Sequence, residues 1–203
     1  MSSSDSDQRK ARDEPPGTSS LQEYIYQPLF HQHIRLLHIT KDSEELHINH
    51  TGFESAPAYT AVSYTWNGES RDQPILIDGY ILKVINNLRI ALPHLAKAAK
   101  TQYIWVDGLC INQEDDKEKA VQIPLMQEIY TSCRECLVWL GECTPEAAMA
   151  IDTIPRIRQN LDLHDASQVW DMEGIGMLSP ETLDSPLWIG FKNIFSRPWF
   201  KRI

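Results

Sequence analysis

No apolar run in this 203-residue chain approaches the roughly 20 residues that carry a helix across a bilayer, so a membrane-spanning helix is excluded. Positive charge is scarce. Nineteen Lys and Arg stand against 28 Asp and Glu, a formal net charge of -9, and such a surface argues against non-specific nucleic-acid binding. Residues 1–20 lack the apolar stretch of a secretory signal, so a cytoplasmic location is the expectation. There is no Walker-type phosphate loop and no GxGxxG run, which leaves ATPase and dehydrogenase chemistry without its basic parts. Cysteine is sparse too: Cys110, Cys133, Cys136 and Cys143 come with nothing else that suggests a disulfide scaffold. Cys133 and Cys136 have zinc-like spacing, but no second CxxC or HxxxH completes a tetrahedral set. The pairs His31/His33 and His47/His50 lie in polar–apolar alternation. No metal is expected. Cys110 has no histidine in a motif near it, which argues against covalent catalysis.

What is present is an ordinary soluble composition, 42% apolar and 23% charged, with room for one well-buried core. Residues 1–20, rich in Ser, Asp and Pro, read as a disordered polar tail; residues 21–203 read as one domain. Residues 34–39 and 45–50 look like two strands around a turn at 41–43. Residues 58–66 alternate and are β-branched and aromatic, hence a strand that ends at Asn67-Gly68. Asp78-Gly79 splits residues 74–84 into a hairpin. Asn86 is a candidate cap for a helix with Leu88, Leu92, Leu95 and Ala99 on one stripe, which Pro93 interrupts.

The most informative segment runs from Tyr103 to Asp116. A short apolar strand, 103–106, delivers Asp107-Gly108 and then Asn112, Gln113, Glu114, Asp115 and Asp116 into the start of a helix over 117–132. Open α/β sheets build ligand crevices at such strand ends. A strand at 136–140, closed by Gly141, and a helix from Thr144 or Pro145 through Ile157 follow. Residues 159–186 lack periodicity. Strand and helix alternating from Ala58 onward imply an α/β fold: a parallel sheet flanked by helices, with an appended antiparallel hairpin. Asp107 would hold a ligand hydroxyl or accept the N–H groups of its own loop. Asn112 and Gln113 would be ligand amides or loop cement beside Asp115 as helix cap. Ser63, Tyr64 and Trp66 end the earlier strand on the same sheet edge, as an aromatic platform or as core.

Four blocks in fixed order carry a family resemblance: YTAVSYTW at 59–66, WVDGLCINQ at 105–113, the stretch from Gln122 to WLG at 139–141, and RPWF at 197–200. Together with IDG at 77–79 and NLRIAL at 87–92, they resemble the fungal heterokaryon incompatibility (HET) domain from about residue 24 onward. The family usually has Gly directly after the Trp of its first block; here Asn67 intervenes, a residue that tolerates positive φ. The last block normally continues further, so the domain is expected to be incomplete at its C-terminus. The resemblance implies regulated cell death when genetically different hyphae fuse, often under the control of nucleotide-binding receptor proteins. It also implies a distant likeness to TIR domains, a flavodoxin-like α/β group. Some of these hydrolyse NAD with one glutamate and others only assemble.

Two readings follow from the resemblance. In the first, the chain is a signalling module that self-associates as a homo-oligomer and requires no cofactor. In the second, it is an NAD glycohydrolase, with Ser63, Tyr64, Trp66, Asp107, Asn112 and Gln113 around the ligand. Glu118, near the start of a helix behind a strand, is then the first candidate for the acid that stabilises the developing ribosyl cation, and Glu114 the second. The plain alternative for Glu118 is a first-turn acid favoured by the helix dipole. Arg197, Trp199 and Phe200 read as a packing block, with Arg197 pairing with a crevice acid. A chain lacking the family's last segment would also be inert if that segment is essential.

Overall fold

The computed structural model describes residues 21–40, 45–163 and 184–201. The tail expected at 1–20, the turn at 41–43 and most of the aperiodic stretch after 159 lie outside those residues. The elements run β1 (His33–Ile39), β2 (Leu46–Gly52), β3 (Tyr59–Ser63), β4 (Gln73–Ile77), β5 (Tyr80–Val84) and α1 (Asn86–Ala98). Then come β6 (Tyr103–Trp105), α2 (Asp107–Cys110), α3 (Asp116–Ser132), β7 (Glu135–Val138), α4 (Pro145–Leu163) and α5 (Pro186–Phe195).

Strand β3 is buried at Tyr59, Thr60, Ala61 and Val62, the pattern of a strand covered on both faces. It lies at the centre of the parallel part of the sheet. β6 pairs with it on one side, Ala61 opposite Trp105, and β7 on the other, Ala61 opposite Cys136. The first strand central and the next two on either side is the doubly wound arrangement, with helices on both faces. Period-two alternation sorts the side chains. Val62, Ile104 and Val106 pack with Leu88, Ala91, Leu92 and Leu95 of α1. Ala61, Trp105 and Cys110 pack with Ile129 of α3. Each fully buried leucine or isoleucine in these layers contributes about 1.5–3 kcal/mol relative to exposure.

The antiparallel element joins the same sheet. β1 pairs antiparallel with β2 and with β6, and β2 meets the β4–β5 hairpin at Leu46 opposite Ile77. The result is one seven-stranded sheet in the order β5-β4-β2-β1-β6-β3-β7, an α/β fold. The hairpin turn at Asp78 (φ 52°) and Gly79 (φ 80°) has both central residues left-handed, as a two-residue turn between twisted strands requires. Asp78 also accepts from His47 Nδ1 at 2.8 Å and from the Ile48 N–H at 3.2 Å, which hooks the hairpin to β2. Asn67 does adopt positive φ, 51°, just before Gly68 at 68°.

Two local expectations change. Asn86 is the first residue inside α1 rather than its cap; the Glu69 carboxylate accepts the Asn87 N–H at 2.9 Å instead. Such an N-terminal acid also complements the helix dipole. Pro93 leaves α1 unbroken, because it sits on the exposed side while Leu92 and Leu95 hold the helix to the sheet. Asp115 caps α3 through the N–H groups of Lys117 and Glu118, at 2.9 and 3.2 Å.

Candidate functional site

The residues expected at the site fall into four settings, the second and third of which share Asn112. The first is the Asp107 turn. Asp107 Oδ1 accepts the Gly108 N–H at 2.7 Å, and Oδ2 accepts the Trp66 indole N–H at 3.3 Å. The Gln113 amide donates to the Asp107 carbonyl at 2.8 Å. Tyr64 stacks on Trp66 with ring centroids 6.3 Å apart. Its hydroxyl lies so close to Gly108 that a Cβ there would stand 2.4 Å from it. Burial, and then the Asp107 carboxylate beside it, push the Tyr64 phenol far above its usual range. Asp107, Gln113, Tyr64 and Trp66 thus form one hydrogen-bonded and stacked corner.

Glu118 is the second setting. Its carboxylate meets the guanidinium of Arg35, a residue with no exposed surface, in a fork: Nη1 donates to Oε1 at 2.5 Å and Nη2 to Oε2 at 2.9 Å. Oε1 also accepts the Asn112 N–H at 2.7 Å. Arg35 donates further to the carbonyls of Cys110 (3.1 Å) and Gln27 (2.6 Å), and lies 4.8 Å over the Tyr26 ring. Its Nε is buried with no partner among the described residues. Both oxygens of Glu118 are therefore engaged in holding α3 to β1 and to the loop after α2. Paired buried charges of this kind depend on hydrogen bonds to their remaining polar atoms, and here only the Arg35 Nε goes without one among the described residues.

A cavity of about 250 Å³ between β5, the segment before β1 and the loop after α2 is the third setting. Asn112 and Glu114 line it, together with Tyr24, Tyr26, Arg71 and Lys83. Tyr26 donates its hydroxyl to the Leu109 carbonyl at 3.0 Å, and burial raises its pKa to about 12. Sequence reading passed over Arg35, Arg71 and the two tyrosines. For Arg35 a signal existed: an arginine inside the apolar run Ile34–Leu37 must find a buried partner.

Ser63 stands apart from these three. Its hydroxyl accepts the Trp199 indole N–H at 3.0 Å, and the Trp139 N–H donates to its carbonyl at 2.9 Å. Trp139 in turn donates to Asn87 Oδ1 at 2.9 Å and stacks on His94. Arg197 does not pair with an acid of the crevice. It donates to the carbonyls of Leu140 and Glu142, both at 2.8 Å, and to Asn193. The reason is local. Gly141 at φ 99° turns the chain so that these carbonyls converge on one guanidinium. The RPWF block thus closes over the ends of β3 and β7.

Among the described residues no three His, Cys, Asp or Glu side chains gather as metal ligands. Cys110 is fully buried, and burial raises its thiol to about 12, far from a thiolate nucleophile.

No solved structure matches the chain. A curated relative, heterokaryon incompatibility protein 6, OR allele, of Neurospora crassa, is 27% identical over 179 residues. The match covers 72% of this chain and 26% of that protein, so the chain spans about a quarter of its relative's length. Residues 59–203 match the family described as Heterokaryon incompatibility protein (HET); that span contains β3, β6 and β7, the Asp107 turn and the RPWF closure, and the chain belongs to the HET family.

Proposed function

We propose that this HET chain is a cell-death effector module of the incompatibility response and works by self-association. A cytoplasmic setting and control by a nucleotide-binding receptor protein belong to the same proposal. One observation carries the self-association. The sheet's two edges are treated differently. β5 is covered by the segment before β1, where Tyr24 donates to the Ile81 carbonyl at 2.7 Å and Ile81 donates to that of Gln22 at 2.9 Å. β7, at the other end, has no strand on its outer side among the described residues, and Cys136 and Val138 are exposed on it. An open edge offers unpaired N–H and C=O groups to another strand, and a second copy of β7 is the partner proposed. The engagement of Glu118 with Arg35 supports the same reading, since it commits that acid to structure.

Val138→Lys places a charge on this edge, a device that natural edge strands use against pairing. The variant is expected to elute as a monomer under conditions where the wild-type chain associates, and to lose toxicity in fungal cells with its circular dichroism unchanged. A monomeric variant that still kills, or a variant that associates like wild type, would overturn the reading.

The NAD glycohydrolase stands as a second reading, favoured by the cavity beside Asn112 and Glu114 near the C-terminal end of β6. With Glu118 held by Arg35, Glu114 is the carboxylate left to stabilise a ribosyl cation. Incubation with NAD is then expected to release nicotinamide, and Glu114→Gln to abolish the release. No release from the associated wild-type chain removes this reading.

A further inference from the structure

The 250 Å³ cavity holds charges that the fold does not use. Arg71 is half-buried, and its guanidinium meets only neutral acceptors: the Lys83 carbonyl from Nε at 3.3 Å and Nη2 at 3.1 Å, the Gly108 carbonyl from Nη2 at 3.3 Å, and the Tyr26 hydroxyl. It makes no ion pair among the described residues. Lys83 reaches Glu23 at 3.3 Å, but these side chains are 57% and 78% exposed. A pair so exposed is held weakly and gives way readily to a better anion.

The other polar groups in the lining are of a different kind. Glu114 is an exposed carboxylate with no ion pair among the described residues. Asn112 Oδ1 is taken by the Glu114 N–H at 3.1 Å, which leaves the Asn112 amide N–H₂ as a donor. A hydroxyl can donate to a carboxylate and accept from an amide at once, so these two groups match an alcohol. A guanidinium without a counter-charge beside an ammonium matches a phosphate. A plain carboxylic acid would leave Glu114 unanswered.

The aromatic wall is preformed. Tyr24 and Tyr26 meet edge-to-face at 5.1 Å, and Tyr26 is fixed by Leu109 at its hydroxyl and by Arg35 over its ring. Pockets for drug-sized ligands run about 300–1,000 Å³, so this smaller cavity takes a compact molecule or one end of a larger one.

We propose that this cavity is a binding site for a sugar phosphate, with the phosphate on Arg71 and Lys83 and the sugar hydroxyls on Glu114 and Asn112. The site does not depend on hydrolysis. Ribose 5-phosphate carries no nicotinamide bond, so its binding tests the site and nicotinamide release from NAD tests the glycohydrolase reading, each independently of the other.

Isothermal titration of the whole chain with ribose 5-phosphate, inorganic phosphate and ribose tests the site. Ribose 5-phosphate is expected to bind, inorganic phosphate about tenfold more weakly, and ribose not at all. Arg71→Met should weaken ribose 5-phosphate by about 10- to 100-fold, the size of a lost charge-assisted hydrogen bond. Glu114→Gln, at an exposed position, should weaken ribose 5-phosphate and leave inorganic phosphate unchanged. Adenosine 5′-monophosphate binding more tightly than ribose 5-phosphate would identify the source as a nucleotide; weaker binding would identify a free sugar phosphate. The proposal fails if ribose 5-phosphate gives no heat, or if Arg71→Met and Glu114→Gln both bind it as wild type does.

Discussion

Arg35→Met is expected to lower the unfolding free energy by about 3–5 kcal/mol, the cost of leaving a buried carboxylate without its partner. Glu118→Ala should cost a similar amount, because it strands a guanidinium with no exposed surface. The double variant Arg35→Met/Glu118→Leu is expected to recover most of that loss, since neither charge then remains to be desolvated. Urea unfolding checks this. The midpoints of the single variants should fall with the slope unchanged, and the cycle should show a coupling well above the additive limit of about 0.5 kcal/mol for independent sites. Two single variants that each cost under about 1 kcal/mol and simply add would mean the pair contributes little. The result bears on function as well. Arg35 also lies over Tyr26, which lines the cavity, so removing Glu118 is expected to disturb that wall through Arg35. Loss of toxicity in Glu118→Ala alone therefore cannot assign chemistry to that carboxylate. Glu114→Gln, at an exposed position, is the cleaner comparison.

Much of the sheet was legible because its signals are local. β-branched alternation marks β3, Asp78-Gly79 marks its hairpin, and Asp115 marks the start of α3. The contacts that build the site are not local. Arg35 meets Glu118 across 83 residues, and Arg71 meets Gly108 across 37. Neither spacing leaves a pattern in a window of one helix or strand. Ser63 was grouped with Asp107 because both end strands of the same sheet, yet Trp199 arrives from 136 residues away to take its hydroxyl. Helix α5 differs from these contacts, because its start signal is local. Ser185 accepts the Trp188 N–H and Pro186 opens the first turn, a start signal in plain view. Periodicity is lacking over 159–186 in the sequence, yet Pro186, at the end of that stretch, is a helix opener.

Gly190→Ala is expected to destabilise the chain even though alanine is the better helix former by about 1 kcal/mol. Gly190 lies within α5 where that helix crosses the first turn of α4. A Cβ there would stand 2.0 Å from the Glu146 carbonyl oxygen, 2.6 Å from its carbon and 3.0 Å from the Ala150 Cβ. Two of these three atoms are helix backbone, which cannot rotate away as a side-chain tip would. The helices must part, loosening the cluster of Ala147, Ala150 and Ile194 with Leu187 and Phe191. Overpacking typically costs about 1–3 kcal/mol and occasionally more, and a backbone clash belongs at the upper end, so it outweighs the propensity gain. The damage should travel. α5 leads directly into Arg197 and Trp199, which bind Leu140, Glu142 and Ser63 at the ends of β7 and β3. Thermal unfolding should shift downward, and hydrogen exchange should rise at Trp139 and along β7. An unchanged or raised melting temperature would mean that α4 and α5 approach less closely than the geometry at Gly190 requires.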